Sequence, residues 1–192
     1  MARLPYVEPG AASGNVRTAL ERVPQLNIFK LLANAETAFV PWLRWAGVLL
    51  SDLELDPLLR ELAILRVAQL TPHAEYEWVQ HVPIAKAVGA TDAQVEAIEA
   101  GEVDDAQFTE VERAVLRFTT EVVQDARAGD DTFAAVSRAL GPQEIVELLM
   151  VIGNYMLVAR VMATADIDMD EPAASLSDDA IARLDRASRE LG

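Results

Sequence analysis

Apolar residues recur every three to four positions along most of this chain, which is the pattern of helices that bury one face. In residues 57–70 the apolar positions 58, 59, 62, 65 and 69 form one such stripe. Asp56-Pro57 stands directly before it, as an N-cap followed by a first-turn proline. No convincing run alternates polar residues with β-branched or aromatic ones. The pattern therefore predicts an all-α fold, a single-domain helical bundle.

Helix starts and stops are marked by local signals elsewhere in the chain. Asn27 is placed to open a long helix that continues through a kink at Pro41. Thr71-Pro72 repeats the start signal of Asp56-Pro57, so a helix is predicted to begin there and to end at Gly89. This helix carries the sequence HAEYEWVQH, which contains both histidines of the chain.

The chain has no linker long enough to divide the predicted bundle into domains. Residues 1–26 are expected to form an N-terminal arm and a short helix, and residues 27–168 the helical domain. Residues 169–192 are expected to form an acidic linker followed by a helix or tail beginning at Ser175 or Ser177. The most apolar stretch, residues 145–163, contains charged and polar side chains and is predicted to be a buried helix rather than a membrane span.

Composition excludes several classes of function. The net charge of −15 argues against nucleic acid and against an anionic membrane surface as partners. The absence of cysteine excludes disulfides, thiol catalysis and thiolate metal sites. The N-terminus lacks the apolar core of a signal peptide, so a cytoplasmic location is expected.

The segment HAEYEWVQH suggests a metal site at first sight, because His73, Glu77 and His81 follow one another at intervals of four. On one straight helix, however, His73 and His81 would lie roughly 12 Å apart, too far to share an ion. No metal site is therefore predicted in this segment. Glu77 and His81 instead share a helix face and can form an acid–base pair, with Tyr76 as an additional phenolic donor. The alternative is a surface salt bridge between Glu77 and His81.

The preceding helix supplies further candidates, Glu61 and Arg66, in the sequence RELAILRVA. About ten residues separate Glu61 from the turn near position 71, and about ten more lead to His81. Two antiparallel helices of equal length would bring Glu61 level with His81. The alternative is a structural ion pair between Glu61 and Arg66 or another arginine.

Polar residues within the C-terminal apolar stretch are expected to line a pocket together with residues of the HAEYEWVQH helix. The predicted substrate-binding residues are His73, Arg66, Asn154, Tyr155 and Arg160. Arg160 is a plausible partner for a substrate carboxylate, although an arginine at a helix surface is more often solvated.

The chain contains three segments in the order RELAILRVAQLTPHAEYEWVQHVPIAKAVG, FTEVERAVLRFTTEV and LGPQEIVELLMVIGNYMLVARVM. Their sequences and their order resemble the carboxymuconolactone decarboxylase family, which includes alkylhydroperoxidase-D-like proteins. The resemblance covers roughly residues 30–168. It implies an all-α fold that assembles into a homo-trimer or homo-hexamer. It also implies Glu61, Glu77 and His81 as the functional positions.

The resemblance also implies what this chain does not do. In the peroxidase branch of the family, two cysteines occupy the positions of Ala74 and Glu77, so the thiol mechanism is absent here. The decarboxylase branch removes CO₂ from a carboxylated unsaturated lactone without a cofactor. We therefore expect a cofactor-free lyase or isomerase that acts on a small anionic, lactone-like or β-keto-like substrate. The alternatives are a non-catalytic oligomeric scaffold or ligand-binding protein, and a peroxidase that uses something other than thiols.

Overall fold

A computed structural model of the chain describes residues 1–170 and residues 182, 183, 186, 187, 189 and 190. Every regular element within these described residues is a helix, which confirms the all-α prediction. The chain forms two compact units, Met1–Asp52 with Val161–Gly192, and Leu53–Arg160. The predicted start of a last helix at Ser175 or Ser177 lies outside the described residues.

The first unit contains three helices near the N-terminus: α1 (Gly14–Arg22), α2 (Asn27–Leu32) and α3 (Glu36–Ser51). The predicted single helix from Asn27 is wrong, because the chain turns between α2 and α3. There the Asn34 side-chain amide donates to the carbonyl of Leu31 and to that of Pro5. Such side-chain bonds to the backbone compete with helix propagation. Pro41 lies inside α3.

The N-terminal arm of the first unit is held by one aspartate. The backbone N–H of Ala2 and the hydroxyl of Tyr6 both donate to Oδ2 of Asp168, at 3.1 and 3.2 Å. The backbone N–H of Asp168 donates in turn to the Tyr6 oxygen, at 2.9 Å. These bonds fix residues whose sequence carries no helix or strand signal.

The second unit is built around α4 (Pro57–Leu70). Its other helices are α5 (Glu75–Ala87), α6 (Asp92–Glu99), α7 (Glu110–Asp125), α8 (Asp130–Ser137) and most of α9 (Pro142–Ala165). Helix α4 packs against α5, α6 and α7, and all its residues from 59 to 68 are buried. Asp56 Oδ1 accepts from the backbone N–H groups of Leu58 and Leu59, at 2.8 and 3.2 Å, which confirms the predicted start.

Helix α5 begins at Glu75, three residues later than Thr71-Pro72 predicts. The Thr71 hydroxyl donates backwards to the carbonyl of Val67, so this residue ends α4 and does not cap α5. His73 lies in the turn with φ of 65°, a left-handed conformation that histidine tolerates better than most residues. His73 is therefore not on the helix face that carries Glu77. The predicted end of α5 at Gly89 is confirmed, with φ of 116°.

Helix α9 is long and apolar enough to cross a membrane by length and composition alone, a test that buried core helices also pass. Within the second unit, Leu148, Val151 and Ile152 on α9 are fully buried. The opposite side exposes a row of large apolar side chains, Val146, Leu149, Met150 and Leu157, which we call the α9 apolar row.

Candidate active site

Glu61 forms the centre of a buried polar cluster in the second unit. Its side chain, on α4, has 0 % exposure, and both carboxylate oxygens are occupied. Oε2 lies 2.9 Å from Nδ1 of His81, and Oε1 accepts from Nε of Arg60 at 2.9 Å. Burial by itself would raise the pKa of Glu61, but His81 and Arg60 together lower it below its ordinary value. Glu61 is therefore an ionised carboxylate at neutral pH.

His81 is oriented by this carboxylate. The contact with Glu61 across α4 and α5 confirms the prediction that the two residues lie level. An ionised carboxylate only accepts hydrogen bonds, so Nδ1 of His81 carries a hydrogen. In the neutral imidazole the lone pair is then on Nε2, which is the nitrogen able to take a proton. The ring packs edge-on against Tyr155 of α9, with centroids 4.8 Å apart at 88°.

Glu77 lies on α5 four residues before His81, and it is buried without a hydrogen-bond partner. Its exposure is 2 %, and neither carboxyl oxygen has a partner among the described residues. The predicted Glu77–His81 pair is therefore wrong. The imidazole instead bonds to Glu61, which Arg60 also holds in place. Burial, followed by the negative charge of Glu61, raises the pKa of Glu77 well above its ordinary value. Glu77 therefore keeps its proton to higher pH than an exposed glutamate does.

Tyr155 completes the buried cluster from α9. Burial, followed by the charge of Glu61, raises the pKa of its phenol well above the ordinary value. The hydroxyl therefore stays protonated and can serve as a hydrogen-bond donor. The cluster combines the ionised carboxylate of Glu61, the imidazole of His81, a second carboxyl group that holds its proton to higher pH than usual, and a neutral phenol.

The other sequence-predicted site residues occupy different surroundings. Arg66 donates from Nε to Thr120 at 2.9 Å and from Nη1 to Gln69 at 2.6 Å, so it binds α4 to α7 rather than Glu61. Arg160 is exposed and donates to the carbonyl of Met156. Tyr76 and Asn154 are both buried, on α5 and α9 respectively. Their roles stay predictions.

His73 lies outside the buried cluster, at the surface beside the start of α5. It lines a cavity of about 390 Å³ together with Ala74, Trp78 and others. This volume is within the range of small-ligand sites. Glu61, Glu77 and His81 do not line the cavity, but Ala74 precedes Glu77 by three residues. Ala74 is the N-cap of α5, so the cavity lies at the N-terminal end of the helix that carries Glu77.

Sequence reasoning missed two buried polar residues beside the cluster, Arg60 and Gln80. A signal for Arg60 exists. It adjoins Glu61 in a helix that is apolar on all sides, where a charged side chain has to be paired. Gln80 carries no comparable signal, because a glutamine next to a histidine is common on exposed helix faces as well. Among the described residues, no group of three metal-binding side chains is placed to hold an ion.

The part of the chain that carries Glu61, Glu77 and His81 is similar to a known protein family. Residues 38–121 match the family model "Carboxymuconolactone decarboxylase family". The predicted resemblance to this family is confirmed for this segment, which contains the first two of the three segments quoted from the sequence except for the last residue of the second. Arg60 also lies within the matched carboxymuconolactone decarboxylase segment, whereas Tyr155 lies beyond it. No curated protein matches the chain in sequence.

Solved structures show the same fold at low sequence identity. The AhpD core of an uncharacterised peroxidase-related protein from Ralstonia eutropha aligns with a TM-score of 0.73 and 18 % identity, over 96 % of each chain. A protein of unknown function from Agrobacterium tumefaciens aligns with a TM-score of 0.63 and 22 % identity, over 72 % of this chain and 95 % of its own.

A third solved structure is the debrominase Bmp8, in a cysteine-to-alanine variant bound to 2,3,4-tribromopyrrole. It aligns with a TM-score of 0.60 and 16 % identity, over 93 % of this chain and 88 % of its own. These likenesses establish an AhpD-like, all-helical fold. The present chain has no cysteine with which to carry out thiol chemistry on it.

Proposed function

We propose that this protein is a cofactor-free lyase or isomerase that performs general acid–base catalysis on a small lactone-like or β-keto-like compound. The observation that carries the proposal is the hydrogen bond between His81 Nδ1 and the buried, ionised Glu61. This bond leaves Nε2 to exchange a proton, and it stabilises the imidazolium that forms. The absence of cysteine rules out the thiol chemistry of the peroxidase branch, and the carboxymuconolactone decarboxylase match supports a function at the level of the family.

The chemistry requires a proton to leave or join a carbon next to a carbonyl group. Loss of CO₂ from a carboxylated lactone and migration of a double bond both produce an enolate that has to be stabilised and then protonated. His81 supplies the proton transfer, and Glu61 holds the ring in one orientation. Arg60 holds Glu61 from the opposite oxygen and keeps the carboxylate ionised within a buried environment.

The test is turnover by purified variants on a panel of carboxylated lactones and unsaturated ketones. His81→Gln and Glu61→Gln should each reduce kcat by about 100-fold or more, the contribution typical of a positioned acid–base group. Glu96→Gln, at an exposed position of α6, is the matched control and should retain full activity. Full turnover by both site variants, with the fold intact by circular dichroism, would remove the catalytic role.

A second candidate function is a non-catalytic oligomeric scaffold or ligand-binding protein. The observation that favours it is the burial of His81, which is 5 % exposed. NMR of the two imidazoles distinguishes the two candidates, because two histidines are readily assigned. For an enzyme or a ligand-binding protein, the His81 signals should shift on addition of a substrate-like carbonyl compound, and only the enzyme should convert that compound to product. For a scaffold, added carbonyl compounds should leave the His81 signals in place.

We also propose that the protein assembles into a homo-trimer or homo-hexamer, as the family resemblance implies. The α9 apolar row supports this, because Val146, Leu149, Met150 and Leu157 recur at helical spacing on one exposed face. Contiguous apolar surface of this kind is typical of protein–protein interfaces.

A further inference from the structure

The starting observation is the unsatisfied carboxyl group of Glu77. A buried polar group without a hydrogen-bond partner costs about 1–3 kcal/mol, so its presence in a folded chain requires a reason. Both oxygens of Glu77 lack partners among the described residues, whereas both oxygens of Glu61 are occupied. The two carboxyl groups therefore differ in what they can bind. Glu61 acts on its protein neighbours, and Glu77 is left to act on something that enters the site.

Tyr155 brings a phenol O–H group on a ring that packs against the same cluster. Its ring contacts the imidazole of His81, and its ionisation, like that of Glu77, is opposed by the charge of Glu61. Two neutral O–H donors beside an oriented imidazole suit a carbonyl oxygen that gains negative charge during a reaction. An apolar environment that keeps a carboxylic acid protonated, so that it donates to an oxyanion, is an established catalytic device.

The charges of the cluster indicate which substrate it suits. When the imidazole is the unprotonated base that the reaction requires, the positive Arg60 and the negative Glu61 cancel. Glu77 and Tyr155 add no charge in their acid forms, the forms that donate a hydrogen bond. With Glu77 and Tyr155 donating to the carbonyl oxygen, a separate substrate carboxylate would enter a buried site of zero net charge without a donor of its own, and an uncompensated charge there costs several kcal/mol. Arg60 is already bound to Glu61, at 2.9 Å. A neutral carbonyl compound avoids this cost.

We propose that Glu77 and Tyr155 form an oxyanion-binding pair for the carbonyl oxygen of a neutral unsaturated ketone or lactone, with His81 as the proton carrier. This inference rests on the proposed acid–base function and narrows its substrate class and reaction to an isomerisation. The site takes up a proton-transfer substrate whose carbonyl oxygen receives hydrogen bonds from both O–H groups.

The reaction balances without a co-reactant. His81 Nε2 removes a proton from the carbon next to the carbonyl. The electron pair of the broken C–H bond forms a carbon–carbon double bond, and the carbonyl π electrons move to oxygen. Glu77 and Tyr155 donate hydrogen bonds to that oxyanion while Glu61 stabilises the imidazolium. His81 then returns the proton to the carbon at the far end of the conjugated system, and the carbonyl re-forms. The double bond has moved, and nothing is oxidised or reduced.

The experiment uses 4-nitrophenol, whose phenolate is a stable mimic of an enolate oxyanion and is visibly coloured. The full-length protein should bind it, with a Kd read from the change in the phenolate absorbance. Tyr155→Phe keeps the ring but removes the hydroxyl, and Glu77→Leu removes the acid. Each should weaken binding by about tenfold or more, as expected for the loss of a hydrogen bond to a charged group. Glu77→Gln, which retains a donor, should bind more tightly than Glu77→Leu.

Tyr6→Phe is the matched control, because Tyr6 lies in the other unit and bonds to Asp168. It should leave the Kd unchanged. Circular dichroism and thermal unfolding establish that each variant is folded, and Tyr155→Phe with Glu77→Gln provides a conservative pair should Glu77→Leu not fold. The proposal is overturned if wild type shows no saturable binding of the phenolate, or if the Kd is indifferent to both Tyr155 and Glu77.

The outcomes also separate this inference from the proposed function. If turnover depends on His81 and Glu61 but phenolate binding does not depend on Glu77 and Tyr155, the oxyanion pair is ruled out and the acid–base function is still supported. If phenolate binding depends on Glu77 and Tyr155 but no carbonyl compound is turned over, the oxyanion pair is supported and the proposed enzymatic function is ruled out.

Discussion

Glu77 and Glu61 are two buried glutamates with opposite pKa shifts, and their effects on stability oppose each other. In the unfolded chain a glutamate ionises with a pKa of about 4.3. Folded Glu77 retains its proton to higher pH, because burial and then the charge of Glu61 raise its pKa. Above the unfolded pKa the folded state thus binds more protons than the unfolded state. The free energy of unfolding therefore falls as pH rises up to the folded pKa.

Glu77→Gln should consequently stabilise the protein at neutral pH, since the amide has no proton to lose. We expect Tm to rise by about 2–4 °C or more near pH 8, the shift that about 1 kcal/mol produces in a chain of this size. Near pH 4 the gain should shrink, because Glu77 is then largely protonated in the unfolded state as well as in the folded state. Thermal unfolding at the two pH values, with Glu96→Gln as the exposed control, measures the difference. An equal Tm change at both pH values would contradict the assignment.

Glu61→Gln should have the opposite effect. The folded pKa of Glu61 is lowered, because His81 and Arg60 outweigh the effect of burial. Its contribution to stability is therefore present above the unfolded pKa and is lost as pH falls through the folded pKa. At neutral pH the variant should lose about 3 kcal/mol of unfolding free energy, as is typical when one partner of a buried ion pair is removed.

Urea denaturation at neutral and at acidic pH tests the Glu61→Gln prediction. The deficit relative to wild type should be largest at neutral pH and should narrow in acid. A variant as stable as wild type at neutral pH would mean that the contacts of Glu61 with Arg60 and His81 contribute nothing to folding.

For individual residues, the sequence was sufficient to predict part of the site. The lengths of chain on either side of the turn near position 71 were enough to bring Glu61 level with His81. Spacing along one helix also brings Glu77 near His81, but it cannot say which of two carboxylates the ring will bond to. That choice depends on Arg60, which holds Glu61 from its other oxygen.

Among the helices, ends were predictable where the signal is purely local. Asp56-Pro57 starts α4, and Thr91 opens α6 with a complete capping box. The start of α5 was not predictable from Thr71-Pro72, because Thr71 closes the preceding helix instead. The same residues can therefore end one helix or begin another, and only the packing of α4 on α5 decides between the two.

The cap of α4 provides a test at the scale of one element. Asp56→Ala removes the side-chain acceptor for the N–H groups of Leu58 and Leu59, and it should cost about 1 kcal/mol in unfolding free energy. Ser13→Ala, at the N-cap of α1, is the matched control because the Ser13 side chain makes no capping hydrogen bond. Chemical denaturation of both variants measures the difference. Equal changes in unfolding free energy would mean that the Asp56 cap does not contribute to stability.

For the whole molecule, the division into two units has no signature in the sequence. One boundary, between Arg160 and Val161, lies inside α9, so no loop composition marks it. Fold class behaves differently, because helical periodicity along the entire chain is sufficient to predict it. The assembly proposed for the protein depends on the α9 apolar row, which has the composition of a buried helix face but is exposed in the single chain.

Assembly through the α9 apolar row is tested by Leu157→Glu. A charge placed in an apolar interface should dissociate the oligomer, because the carboxylate would have to lose its hydration there. Light scattering coupled to size exclusion should show wild type as a trimer or hexamer and the variant as a smaller species. Gln107→Glu adds the same charge at an exposed loop position and should leave the mass unchanged. A monomeric wild type would remove the proposal.

The hydrogen bond that ties one nitrogen of His81 to Glu61 has a stereochemical consequence. With Nδ1 occupied, a proton can leave and re-enter only through Nε2, so both transfers take place on the same face of a planar substrate. The buried imidazole also has little access to water with which to exchange that proton. Deuterium placed on the donor carbon should then reappear in the product, on the same face of the molecule, at the carbon to which the hydrogen was delivered.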